Sequence, residues 1–305
     1  MQTILVALTP VFTLIFVGFL IKRWRFLAEE FWPAAEKLTY FLLMPALLIH
    51  NLANKNIHEL PWREILLTAE GTVLVSAGVV SFWWVFKRQA GGPLFTSVFQ
   101  GGVRFNTFVA LAVAEAMFGS KGLLLAAMAA GFAIPLINLL CISAFSLTVA
   151  ATRFSVTGLV KSLTTNPLIL GCLIGGMLNL SGVGLHSGLD GTMALAGKAA
   201  FPIGLMAVGA AYRLENFSSQ LSPLFFASLV QFIVKPLTAL AFAHFFGMDK
   251  TATCIVVLLF SVPTAPSAYI LSRQLGGDSA AMASIITLQS GLSFFSLPLT
   301  LALLT

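Results

Sequence analysis

The chain has 305 residues, of which 58% are hydrophobic and only 9% charged, with a mean hydropathy of +0.95. Soluble domains carry about 25% charged residues, so a soluble enzyme, a secreted disulfide scaffold and a nucleic-acid binder are excluded as primary readings. The net charge of +6 does not change this, because the basic residues sit in short gaps between apolar runs, where such residues set membrane topology.

Each membrane helix needs roughly 20 apolar residues. Ten apolar segments follow one another, at about 3–21, 34–53, 64–86, 94–117, 121–148, 160–180, 190–210, 221–246, 251–272 and 279–304. The first is read as an uncleaved helix, since Lys22, Arg23 and Arg25 follow its apolar run instead of preceding it. Loops after odd segments carry Lys22, Arg23, Arg25, Lys87, Arg88, Arg153, Lys161, Arg213 and Arg273, against Lys55, Arg63, Lys121 and Lys250 after even ones. This asymmetry predicts cytoplasmic odd loops and both termini outside. The hydrophilic stretches, the longest at 22–33 and 54–63, hold no soluble module, and no phosphate-cradling loop is present.

A shift of 157 residues superposes Pro10 on Pro167, Gly18 on Gly175, Pro45 on Pro202, Thr107 on Thr264 and Gly119 on Gly276. Each half then holds five segments, and an odd number turns the second copy upside down. The predicted fold is therefore an all-α polytopic membrane protein of ten helices, in two inverted repeats over 1–149 and 150–305. That architecture is typical of secondary transporters, whose substrate sits near the midplane where two helices are broken.

The fourth segment, FQGGVRFNTFVALAV, and its partner the ninth, LLFSVPTAPSAYILS, are the predicted broken pair. Gly101 and Gly102 in one, and Pro263 and Pro266 in the other, weaken a helix, and freed helix N-termini suit an anion. Pro45, Pro135, Pro202 and Pro236 are explained by kinks alone. Arg104 is costly in an apolar segment and suits a carboxylate through its planar fork; snorkelling to an interface is the competing reading. Glu70 is a proton-coupling candidate or an interfacial residue. Lys198 and Lys235 rank below Arg104, each able to satisfy a carbonyl freed near its neighbouring proline. Asn138 and Gln289 line the site or bind helices together. Cys141, Cys172 and Cys254 form no metal-ligand spacing, and neither metal nor cofactor is expected.

At these residues the sequence resembles the auxin efflux carrier family, which includes bacterial malonate-type and other organic-anion permeases as well as plant auxin exporters. The stretches that carry the likeness are EKLTYFLLMPALLIHNLA at 36–53, RFNTFVALAVAEAMFG at 104–119 and PTAPSAYILSRQLGGD at 263–278. The resemblance implies a substrate contact at Asn106, with Thr107 beside it, and puts Pro266 at the matching position of the second crossover. Pro263, Thr264 and Ser267 around that proline are candidate substrate-binding residues of the broken ninth segment. It also implies a proton-sensing role for Glu70. Phe105 stands where plant members have proline, and their long cytoplasmic loop is absent; both features are similar to the bacterial branch. The implied architecture, similar to the sodium–bile-acid symporter fold, has helices 1, 2, 6 and 7 as scaffold. Helices 3–5 and 8–10 form a mobile transport domain, and the carrier is a homodimer. The expected function is secondary transport of a small organic anion across the inner or plasma membrane, with proton or sodium coupling. A bile-acid-type sodium symporter, with Asn138, Gln231 and Gln289 as ligands, is the alternative. A channel or sensor is the rival from another class, and an embedded enzyme the least favoured.

Overall fold

The computed structural model describes residues 2–53, 60–87, 91–149, 165–212 and 221–304. Lys55, Arg88, Arg153, Lys161 and Arg213, which enter the orientation reading, lie outside the described residues, as do residue 150 and the start of segment six. The regular structure of the described residues is helical, with no strand among them. Among the described residues six stretches are long and apolar enough to cross a membrane, and two shorter apolar helices accompany them. The chain is a multi-pass membrane protein.

In chain order the helices are α1 (Gln2–Arg23), α2 (Phe31–Leu38), α3 (Met44–Ala53), α4 (Trp62–Phe86), α5 (Gly92–Val103) and α6 (Thr107–Thr148). There follow α7 (Pro167–Leu180), α8 (Ser187–Ala210), α9 (Leu221–Leu229), α10 (Lys235–Phe245), α11 (Lys250–Ser261), α12 (Ser267–Leu275) and α13 (Ser279–Leu304). Segments two and eight each contain a wide π turn, at Thr39–Leu43 and Val230–Val234. Each turn ends two residues before a proline, Pro45 or Pro236, whose missing N–H and ring displace the regular ladder. Segments four and five are separate, as their apolar runs predict: between them Gly119 leaves the helical path of α6 with φ 62 and ψ −155, a conformation open to glycine.

α1 packs on α8 and α3 on α7, while α3 and α2 also rest on α8. The α1–α8 contact is close because it is made by glycines. A Cβ on Gly18 would overlap the Met206 carbonyl, and one on Gly209 would overlap the Ile15 carbonyl. Small residues allow such backbone approach between membrane helices, where no difference in apolarity drives association. At the α3–α7 contact, Gly175 lies against Ile49 and Leu52. α4, α5, α6 and α9–α13 pack mainly on one another, with α6 touching α1, α3, α7 and α8. A hydrogen bond between His50 Nδ1 and Asp190 Oδ1, at 2.7 Å, ties α3 to α8.

Candidate anion site at the crossing of two broken helices

Both predicted interruptions are present, between α5 and α6 and between α11 and α12. In the first, Gly101 and Gly102 do not break the helix: α5 runs through them to Val103. Their hydrogens instead admit close neighbours, since a Cβ on Gly101 would come 2.7 Å from Ile285 Cγ2, and one on Gly102 would come 3.0 Å from Val80 Cγ2. The extended residues are Arg104 (φ −74, ψ 163) and Asn106 (φ −85, ψ 101). Asn106 restarts the helix as its N-cap, Oδ1 accepting from the N–H groups of Phe108 at 3.1 Å and Val109 at 3.3 Å. In the second interruption, Pro263 and Pro266 withhold two N–H groups from the ladder between Ser261 and Ser267.

The two breaks cross and are stitched together. The Asn106 N–H donates to the Pro263 carbonyl at 2.8 Å. The Thr264 hydroxyl donates to the Gln100 carbonyl at 3.3 Å. Gln289 bridges the strands of the crossing, accepting from the Thr264 N–H at 2.9 Å and donating to the Gly101 carbonyl at 2.9 Å. Pro263, Thr264 and Gln289 are buried, with their exposed face given up to this bracing. Of the two readings of Gln289, binding helices together is the one its bonds match.

Above the crossing lies a cavity of about 240 Å³. Arg104, Asn106, Thr107, Asn138, Pro266 and Ser267 line it, whereas Pro263, Thr264 and Gln289 do not. The Arg104 guanidinium is half-buried and faces the cavity. Its Nη1 donates to Asn138 Oδ1 at 3.2 Å and its Nη2 to Ser267 Oγ at 3.5 Å. α6 and α12 both begin at this cavity, so two helix N-termini add partial positive charge. Because Asn106 and Asn138 accept through their oxygens, their amide N–H groups remain as donors. The wall is thus rich in donors and positive potential, a surface for a small anion; sites for drug-sized ligands are larger, about 300–1,000 Å³.

Two polar lining residues escaped the sequence reading. Glu36 and Tyr40, one turn apart on segment two, reach the same cavity. The signal was a carboxylate in EKLTYFLL, four residues from a tyrosine. Glu70 is elsewhere: it lines a larger, mostly apolar cavity of about 730 Å³ between α3, α4, α6 and α7. Lys198 is exposed. Lys235 does satisfy freed carbonyls, but those of the first break and not of its own helix, donating to Val103 at 3.2 Å and Arg104 at 3.0 Å.

A family model described as membrane transport protein matches residues 148–301, half of the chain. The chain belongs to the auxin efflux carrier family. The matched half contains α7 to α12 and most of α13, hence the second break of this membrane transporter. No curated protein matches the chain.

Asn106 separates capping from binding in this transporter. Asn106→Ala is expected to lower stability by about 0.5–2 kcal/mol through loss of the cap. Asn106→Asp keeps an N-cap acceptor but places a negative charge on the cavity wall. Thermal unfolding in detergent should therefore leave the aspartate variant near the parent, while its affinity for a carboxylate falls below that of the alanine variant. The reverse order would remove Asn106 from the anion surface.

Proposed function

We propose that the protein is a secondary carrier of a small organic anion, a carboxylate, working by elevator-type alternating access and not an enzyme. The observation that carries this reading is the shared cavity of Arg104 and the starts of two half-helices, α6 and α12. Arg104, Asn106, Thr107, Asn138 and Ser267 are its proposed substrate contacts, with Pro266 shaping the wall. Pro263, Thr264 and Gln289 act from beneath by holding the crossing in register. The proposed architecture is ten spans in two inverted repeats, 1–149 and 150–305. It is supported by the repeat-related glycines: Gly18 lies at the approach of the first helix to the seventh, and Gly175 at that of the sixth to the second. Helices 1, 2, 6 and 7 form the scaffold of a homodimer in the inner or plasma membrane, with both termini outside, and the remaining helices move.

For the sodium-coupled alternative, the three amides offered as contributors to its oxygen clusters are engaged in the protein itself. Asn138 accepts from Arg104, Gln289 bridges the crossing, and Gln231 donates to the Val262 carbonyl. The test is uptake by proteoliposomes of labelled dicarboxylates, monocarboxylates and indole acids under imposed pH or sodium gradients. Saturable, counter-transportable flux of a carboxylate is the expected result. Unsaturable flux would make the protein a channel, and absence of carboxylate flux would overturn the anion assignment.

Proton coupling through Glu70 is part of the proposal. Glu70→Gln should flatten the pH profile of uptake in a protein that still inserts. Glu36→Gln should instead tighten anion binding at alkaline pH, because it removes the negative charge that shares the cavity with the substrate. An unchanged profile in the Glu70 variant would transfer the coupling role away from it.

A further inference from the structure

Lys235, at the start of α10, is 0% exposed. It pairs with no carboxylate among the described residues. Its ammonium donates to three neutral oxygens: the carbonyls of Val103 at 3.2 Å and Arg104 at 3.0 Å, and Gln231 Oε1 at 2.9 Å. The two carbonyls are freed at the C-terminal end of α5, which carries the negative partial charge of that helix. Gln231 donates in turn to the carbonyl of Val262, at the C-terminal end of α11. The rings of Phe105 and Phe260 complete the shell, with centroids 5.8 and 5.6 Å from Nζ.

The two broken helices thus divide the crossing by sign. The half-helices that start there, α6 and α12, open onto the anion cavity. The half-helices that end there, α5 and α11, converge on Lys235 and Gln231. Unwound carbonyls and half-helix C-terminal ends are the ligands by which broken-helix carriers hold a coupling cation. Here that ligand set already holds an ammonium.

Building on the anion-carrier reading, we propose that Lys235 is a tethered replacement for a coupling cation, occupying the cation position of the crossing so that the anion binds without sodium. The side chain supplies the positive charge that the converging carbonyls require. Through the Arg104 carbonyl it also fixes the backbone from which the Arg104 guanidinium reaches the cavity, so it is a positioning residue.

The test is binding of labelled acetate, benzoate and indole-3-acetate to the purified protein in sodium chloride and in choline chloride, at equal ionic strength. The parent is expected to bind its preferred probe equally in both salts. Lys235→Ala leaves an empty, carbonyl-rimmed space. In choline its affinity should fall about ten- to a hundredfold, the scale of lost charge-assisted hydrogen bonds, and sodium or methylammonium should restore it. Lys235→Met fills the space with an apolar chain, so the same cations should not rescue it. A parent that requires sodium overturns the proposal, and this arm needs no variant to fold. So does a Lys235→Ala protein that binds in choline as tightly as the parent. A loss that no cation restores would make Lys235 a structural strut and overturn the cation assignment. If the parent binds no probe in either salt, the anion-carrier reading itself fails and this proposal falls with it.

Discussion

Arg104→Ala is expected to weaken carboxylate binding by about one to two decades, since charge-assisted hydrogen bonds contribute about 1.5–3 kcal/mol. The geometry makes this a local loss. Arg104 is joined to the fold through its backbone, its N–H donating to the Gln100 carbonyl at 2.9 Å and its carbonyl accepting from Lys235. Its side-chain bonds, to Asn138 and Ser267, are to other residues of the cavity wall. Removal of the guanidinium should therefore spare folding and free the Asn138 oxygen, which presents an acceptor to the anion and adds to the loss. Arg104→Lys should recover only part of the affinity, because an ammonium cannot offer two parallel donors to one carboxylate. Calorimetry on purified protein, after thermal unfolding has confirmed a folded variant, reads both effects. Parent-like binding by Arg104→Ala would leave the anion site resting on Asn106 and the helix ends alone.

Gly209→Ala is expected to produce the largest loss of stability. The added Cβ meets the Ile15 backbone carbonyl, which no rotamer change can move aside. α1 and α8 must separate, and overpacking of this kind costs about 1–3 kcal/mol. Gly18→Ala should behave alike, because its Cβ meets the Met206 carbonyl across the same contact. Gly291→Ala is the control: nothing lies within 4 Å of its Cβ, and an alanine in an open helical position stabilises by about 0.4–1 kcal/mol. Melting temperatures in one detergent should place the Gly209 and Gly18 variants below the parent and the Gly291 variant at or above it. Equal melting of all three would show that the α1–α8 contact is not close in the folded protein.

The helices and the breaks were legible because their causes are local. Segment lengths follow from apolar runs, and the second break from Pro263 and Pro266, whose missing N–H groups act wherever they stand. Even so, the glycines of segment four were misjudged as helix breakers. Gly101 and Gly102 stay within α5, where their missing side chains let Ile285 and Val230 approach, neighbours that are far away in the chain. The interruption falls instead at Arg104–Asn106, where the side chain of Asn106 caps a new helix and its backbone N–H finds the Pro263 carbonyl.

Composition and periodicity by themselves determined that this chain crosses a membrane, that segments four and nine are interrupted, and that Arg104 and Asn106 belong to one of those interruptions. Only the tertiary structure decided which polar groups meet. It set Glu36 and Tyr40 beside Arg104, placed Glu70 at another cavity, and turned Gln289 into a brace. It also aimed Lys235 at carbonyls 131 and 132 residues earlier in the chain. The reason is physical. An apolar run or a proline acts through its own backbone, whereas a buried donor has no meaning until folding delivers its acceptor. In a low-dielectric interior an unpaired donor is costly, and the sequence does not name the partner.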